Sequence, residues 1–367
     1  MTAENYWNAI SNDLERLVAA FNNSSIDKSA LSRAEKKLIV DLINNFATKK
    51  AIGFFGERYI AGHSFGQGIE AIASNYSAEN PIFRKYSTAD ILGESAKIKE
   101  QADRYLNAYI QFIDLLEQRF GNEKPSSISL KASAICVVDE HGKFSEETNF
   151  EERLEKIVKH AHDKGIDVTL DMEDHNLTDS SLNAAKYIWN KGYGNFGIVL
   201  QSCLNRTQDD ITKLFTAADY PIPKNKTRVR VVRGIYEEPG NIATTNIEEA
   251  KARIVDRVKQ LFDVQVYVEI GTHDPKIVDM IINEVIVPNK ISSDRFEFQF
   301  LKGVPQAERK EKELLEKGYK VRYYMPVEIE KGDGTPYMGR RLVESPRVLY
   351  YGLKNLIESS LNFLKAK

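Results

Sequence analysis

The sequence predicts an α/β protein, a closed (βα)8 barrel preceded by a helical segment. Three observations carry that expectation. Residues 1–86 show helical periodicity and no convincing strand. From residue 87 to residue 367, eight short β-type runs alternate with amphipathic helical stretches, the pattern of βα units around a parallel sheet. Several of those runs carry charge at alternate positions, so one face of the sheet is polar. The chain therefore divides into a helical arm, 1–86, and a barrel, 87–367. A doubly wound open sheet is the competing architecture, since the first run is only four residues long.

In the arm, Leu14, Leu17, Val18 and Phe21 recur at helical spacing, as do Leu38, Ile39, Leu42 and Ile43. The strand candidates then follow as Ala89–Leu92, Ser127–Ile135, Asp167–Met172, Phe196–Gln201, Thr227–Val232, Val266–Ile270, Arg295–Leu301 and Lys320–Val327. Between them lie amphipathic segments such as Phe150–His162, Asp274–Ile286 and Pro305–Lys317. Asp274 before Pro275, and Thr178 before Asp-Ser-Ser, are read as helix starts. A last helix opens after the breaker run Gly332-Asp-Gly-Thr-Pro336, with Thr335 as cap and Pro336 as first residue. The stretch Gly192-Tyr-Gly-Asn-Phe-Gly197 has the GxGxxG spacing. Its glycines follow a helix and lead into a strand, the reverse of the dinucleotide-binding order, so they are read as cap and turn.

The totals exclude several classes. With 51 basic and 53 acidic side chains, a net charge of −2 argues against a nucleic-acid partner. No run reaches the roughly 18 apolar residues of a membrane span, and the start has no basic-then-apolar leader. Two cysteines, Cys136 and Cys203, make no disulfide framework and no CxxC zinc site. A reducing, cytosolic setting is expected.

Strand parity concentrates chemistry on one face. In Arg295–Leu301 the three phenylalanines share a face, and Glu297, Gln299 and Leu301 share the other. Lys131 goes with two serines, Asp171 with Thr169, Gln201 with Val199, Arg230 with Arg228, and Glu269 with Tyr267. The apolar faces suit the helices, so the polar faces are expected inside the barrel. Unpaired charge there is costly, and most of these residues fall late in their strands, where barrel enzymes build their sites. The set predicts a site.

The opening of the last helix adds to it. Tyr337, Arg340, Arg341 and Glu344 lie on one arc of about 100° on a helical wheel. Cations are unfavourable at a helix start, yet two stand here, with Glu344 spaced to orient both. A solvated ion pair would account for them. After the eighth strand, however, they reach the barrel rim, where two guanidinium forks suit a planar carboxylate or a phosphate.

Taken in order, these residues resemble the proline dehydrogenase family, particularly its monofunctional bacterial members. The resemblance is carried by Phe55-Gly-Glu-Arg-Tyr-Ile-Ala-Gly62, Asp90-Ile-Leu-Gly-Glu94, Ile128-Ser-Leu-Lys-Ala-Ser133 and Val168-Thr-Leu-Asp-Met-Glu-Asp174. It continues through Gly197-Ile-Val-Leu-Gln201, Arg230-Val-Val-Arg-Gly-Ile-Tyr236, Gly271-Thr-His-Asp-Pro275, Phe296–Leu301, Tyr324-Met-Pro326 and the opening Tyr-x-x-Arg-Arg-x-x-Glu at Tyr337. Any one of these motifs is weak and the ordered set is specific; the first 50 residues resemble the family only in being helical.

The resemblance implies a distorted, TIM-like (βα)8 barrel whose last helix lies over the carboxyl end of the barrel. It implies FAD-dependent oxidation of L-proline to Δ1-pyrroline-5-carboxylate by hydride transfer, with a quinone as next acceptor. Asp171 and Arg230 correspond to the catalytic pair. Lys131, Arg340 and Arg341 correspond to the carboxylate clamp, steadied by Glu344, and Tyr324, Tyr337 and Leu301 to walls around the pyrrolidine ring. Met172, Gln201, Arg233, Gly234, Ile235, Thr272 and His273 correspond to flavin contacts. The expected partners are L-proline, a membrane quinone and a downstream pyrroline-5-carboxylate dehydrogenase. The expected location is the cytoplasm, with approach to the inner membrane face.

This chain departs from the family pattern in places. Arg233 stands where lysine is usual, and Gly271 and Ile235 where alanine is usual. Glu238–Phe262 is short and lacks an Asp-x-x-Tyr pattern, leaving Lys251 and Arg253 as candidates for the cofactor's phosphate and adenosine end. Three other readings compete: a 4-hydroxyproline dehydrogenase, a lyase using Lys131 as a Schiff base, and a metal site of Asp171, Glu173 and His175. The amphipathic stretch Val348–Lys367 suits interhelix packing better than lipid.

Overall fold

A computed structural model describes residues 57–77, 80–93, 95–216, 220–221, 223–236 and 238–334. Tyr337, Arg340, Arg341 and Glu344, the amphipathic stretch 348–367 and the first 56 residues of the arm lie outside the described residues. One compact unit, Ile60–Lys331, carries the architecture.

Within it, helix α1 (Phe65–Tyr76) precedes strand β1 (Tyr86–Ile91). Alternation then runs α2 (Lys99–Phe120), β2 (Ser126–Leu130), α3 (Phe150–Asp163), β3 (Val168–Leu170), α4 (His175–Asn190), β4 (Phe196–Gln201), α5 (Thr207–Phe215) and β5 (Arg228–Val232). It ends with α6 (Ile247–Asp263), β6 (Tyr267–Gly271), α7 (Pro275–Met280, continued as a π-helical segment Ile281–Ile286), β7 (Phe296–Leu301), α8 (Pro305–Glu316) and β8 (Val321–Val327). The eight strands pair in sequence order, all parallel, and β8 closes on β1. The barrel is closed and the open-sheet alternative fails. α1 caps the seam of the closure, packing on β1 and β8.

Local chemistry sets the element ends. Asn149, Asp174, Asn246 and Asp274 each accept a hydrogen bond from an early backbone N–H of the helix they precede. The start expected at Thr178 is therefore one turn late. Asp174, four residues past the end of β3, accepts the Asn176 N–H, and Thr178 lies buried inside α4. The run Ser127–Ile135 also divides. The strand stops at Leu130 and Ala132–Ile135 makes a single helical turn, closed by the Cys136 N–H on the Ala132 carbonyl. Alanine favours that turn, and β3, the neighbour on one side, is only three residues long and ends level with Leu130.

The core lies between the outer faces of the strands and the helices. Phe296, Phe298 and Phe300 are buried on that side. The interior side is polar, as parity predicted. Glu297 accepts from Arg322 Nε at 2.5 Å, Arg228 NH2 at 3.1 Å, Gln299 Nε2 at 2.6 Å and the Tyr267 hydroxyl at 3.1 Å. Burial alone would raise the Glu297 carboxyl; Arg322 and Arg228 outweigh it and hold the group well below its ordinary range. These residues form a charged floor beneath the site.

Candidate active site

Above that floor, the carboxyl ends of the strands bring the expected residues together. Val199, Arg230, Glu269 and Glu297 are neighbours across β4 to β7 in the parallel register. Arg230 is 4% exposed. Its NH1 donates to Asp171 Oδ1 at 2.8 Å and to Ser129 Oγ at 3.0 Å, while Nε donates to Glu269 Oε2 at 3.2 Å. Asp171 sits one residue past β3, where its N–H still bonds the Leu130 carbonyl at 2.8 Å. Its other oxygen, Oδ2, accepts from the Tyr324 hydroxyl at 2.6 Å. The Tyr324 ring lies 5.6 Å from the Arg230 guanidinium carbon. Burial and the adjacent Asp171 push the Tyr324 phenol well above its usual value, so it stays a donor.

Lys131 leaves β2 at the start of the helical turn and reaches back to Asp90 Oδ1 at 2.7 Å. Burial would lower its pKa; the charges of Asp90 and Asp171 outweigh burial and raise it, so the ammonium persists. Asp90 itself is raised, by burial above all, with Lys131 pulling the other way. Among the described residues, Arg230 and Lys131 thus stand as fixed cations at the mouth of the barrel. Arg230 is likewise raised: burial works against its charge, and Glu269 and Asp171 prevail.

The other expected residues that are described follow on successive strand ends. Gln201 ends β4 and donates Nε2 to the Glu173 carbonyl at 2.6 Å. Met172 and Thr272 are buried just after β3 and β6. His273 Nε2 accepts the Leu301 N–H at 2.7 Å, which places the neutral ring's proton on Nδ1. Arg233, Gly234 and Ile235 follow β5, and the Ile235 side chain is exposed. Lys251 pairs with Glu248 and Asp274, and Arg253 with Glu249 and the Cys203 carbonyl, so both are held by protein groups. The metal reading dissolves into separate partners. Asp171 goes to Arg230, Glu173 to the Ser133 N–H and hydroxyl, and His175 to Glu238.

Parity reasoning left some contributors unassigned. Asp90 is the inward position of β1, between Ala89 and Ile91, and alternation marks it. Ser129 was legible in the same way. Glu238, which accepts the His175 N–H at 3.0 Å and ties the turn after β3 to the segment after β5, had no local signal.

Whether a flat heteroaromatic cofactor fits can be judged from the polar atoms. Arg230 NH2 and Gln201 Oε1 are buried with no hydrogen-bond partner among the described residues. One is a donor and the other an acceptor, so they ask for a ligand offering both edges. Gly234, at φ +103°, lets the backbone lie against Gln201. A Cβ there would fall 2.4 Å from Cys203 Sγ and 2.7 Å from Gln201 Oε1. A flavin ring offers both an imide N–H and acceptor nitrogens and oxygens, so these residues fit one.

Comparison with known proteins gives the relationship. The proline dehydrogenase family model matches residues 82–348. The chain belongs to the proline dehydrogenase family. Proline dehydrogenase of Deinococcus radiodurans is 27% identical over 340 residues, covering 90% of this chain and 97% of that protein. Proline dehydrogenase 2 of Bacillus subtilis is 28% identical over 319 residues, 86% of this chain and 93% of the relative. Among solved structures, proline utilization A from Bdellovibrio bacteriovorus, inactivated by N-propargylglycine, superposes with a TM-score of 0.71 at 21% identity. The match takes in 92% of this chain and only 41% of that longer one, and at this identity it speaks for the fold alone. Proline utilization A of Bradyrhizobium japonicum gives a TM-score of 0.62 over 81% of this chain and 33% of its own.

Proposed function

We propose that this proline dehydrogenase oxidises L-proline to Δ1-pyrroline-5-carboxylate with bound FAD, and that a quinone then accepts the electrons. The observation that carries the reading is Arg230, a buried guanidinium locked on Asp171, Ser129 and Glu269 with NH2 left for a ligand. When bound, FAD would supply the acceptor for the hydride leaving the proline ring carbon.

The protein's own part is to place and charge the reacting groups. Lys131, kept charged and tethered by Asp90, offers one cation to the proline carboxylate. By the family resemblance, Arg340 and Arg341 would bind that carboxylate through their guanidinium forks, Glu344 would support them, and Tyr337, Tyr324 and Leu301 would contact the ring. Arg230 would supply fixed positive charge to stabilise the negative charge that develops as the acceptor is reduced. Asp171 and Ser129 keep that guanidinium in its plane. The amine must react in its neutral form, whose lone pair helps the ring C–H leave as hydride. Gln201, Met172, Arg233, Gly234, Ile235, Thr272 and His273 would hold the cofactor. The Schiff-base reading needs a neutral Lys131 amine, which its pairing with Asp90 opposes. Tyr324 at the ring wall favours proline over 4-hydroxyproline.

Among the described residues no helix is long and apolar enough to cross a membrane. A quinone acceptor calls for transient approach to the cytoplasmic membrane face. A pyrroline-5-carboxylate dehydrogenase would consume the product.

The decisive measurement is the absorption spectrum of purified protein, followed by anaerobic addition of L-proline. Flavin bands that bleach are expected; absent bands, or bands proline cannot bleach, would overturn the reading. Replacing Arg340 or Arg341 with methionine should raise the proline KM by about tenfold or more, the loss of a charge-assisted pair. Bound flavin should stay. Lost flavin with unchanged KM would show that the clamp holds a different ligand.

A further inference from the structure

Arg230 can serve a reaction only if its guanidinium plane is fixed. A guanidinium has five N–H donors in a rigid fork, and two grips at different edges determine where the third points. Asp171 and Ser129 hold the NH1 edge. The second grip is on Nε, from Glu269 Oε2 at 3.2 Å. Glu269 is 0% exposed and sits beside Arg230 in the β5–β6 register. It cannot swing away, because Oε1 is held by Arg228 Nε at 2.6 Å. Arg228 in turn is anchored in the floor on Glu297 at 3.1 Å, and its guanidinium carbon lies 4.4 Å from the centre of the Tyr267 ring. The chain of contacts therefore runs from the rigid floor through one carboxylate to the guanidinium at the site. It leaves NH2 as the edge without a protein partner among the described residues.

From this geometry we propose that Glu269 is a positioning residue for proline oxidation. Its carboxylate fixes the Nε edge of Arg230, aims NH2 at the acceptor, and offsets part of the guanidinium charge there. The inference rests on the functional reading above. Asp171 and Ser129 both grip NH1, so without Glu269 the guanidinium could pivot on that one nitrogen, and the distance from NH2 to the reacting group would then vary. Glu269 also sets the local field. It is the only carboxylate other than Asp171 within hydrogen-bond distance of Arg230 among the described residues.

The test uses the FAD-loaded protein. Glu269→Gln keeps the shape but turns one oxygen into an amide nitrogen, which must face one of the two guanidinium donors. Its kcat per bound flavin is expected to fall about tenfold, the scale of a misplacement well under 1 Å. The proline KM should stay within about threefold, since the carboxylate clamp is untouched. The midpoint potential of the bound flavin should move positive, because a negative charge beside Arg230 is gone. The double variant R228L/E269L removes one charge of each sign, so no Arg228 is left without Glu269, while Arg230 keeps Asp171. It should show the same loss of kcat per bound flavin. Wild-type kcat per bound flavin in either variant, whatever the melting temperature, overturns the proposal. So does an unmoved potential in Glu269→Gln, or a loss confined to flavin occupancy or KM. A wild-type flavin that proline cannot bleach would instead sink the functional reading itself.

Discussion

Gly234 illustrates how little room a single position can have. At φ +103° it lies in the region where a side chain strains the backbone, and the space beside it belongs to Cys203 and Gln201. Gly234→Ala should therefore cost about 1–3 kcal/mol and push Gln201 off its bond to the Glu173 carbonyl. A lower melting temperature together with a reduced flavin-to-protein ratio is the expected result; full occupancy at wild-type stability would refute it. The sequence marked Gly234 only through the resemblance, since one glycine after a strand has many readings. By contrast Lys131, Asp171 and Arg230 were visible from alternation, because an inward charge late in a strand needs a reason. Their partners were less visible. Nothing in a short Ser-Leu-Lys run says that the lysine will reach Asp90, 41 residues earlier.

At the scale of elements, the barrel floor is a set of strand residues that exist for one another. Arg322 on β8 and Arg228 on β5 converge on Glu297 of β7, which is 1% exposed. Glu297→Gln takes the carboxylate partner from buried Arg322, leaves Arg228 to Glu269 and Asp167, and should destabilise by about 3–5 kcal/mol. Replacing Glu297 and Arg322 together with apolar residues should cost less than the single change, because the desolvation penalty goes with the pair. Urea unfolding of the cycle would measure this, and simple additivity would show the pair uncoupled. Element types came through the sequence well, since strands and helices differ in period. Their ends did not. The run at Ser127–Ile135 hid a strand stop because alanine and serine suit either conformation, and the cap of α4 went to Asp174, whose carboxylate accepts the Asn176 N–H a turn before Thr178.

For the whole molecule, pH acts through these buried carboxyls with opposite signs. Glu297 is depressed by Arg322 and Arg228 against the effect of burial. Its contribution is complete above the ordinary glutamate value of about 4.3, and is lost as pH falls through the folded value. The stability gap between wild type and Glu297→Gln should therefore be widest near neutrality and shrink below about pH 4. Unfolding at both pH values tests this, and a constant gap would contradict it. Asp90 and Glu173 are raised, by burial first, so what they contribute is present in acid and lost as pH rises through their folded values. Barrel closure brings both kinds of group into one interior.

The sequence by itself determined the class of architecture, the polar inner face and the family. Periodicity is a local property that each strand and helix carries in its own residues, and an ordered set of motifs survives where single ones do not. Only the tertiary structure decided which charges meet. Arg230 is joined to Ser129 from 101 positions away, to Asp171 from 59 and to Glu269 from 39. Those pairings depend on closure and register, which fix distances that no local pattern encodes. The same holds for the edge of the guanidinium left for a ligand, because it is whatever remains after the other two edges are held.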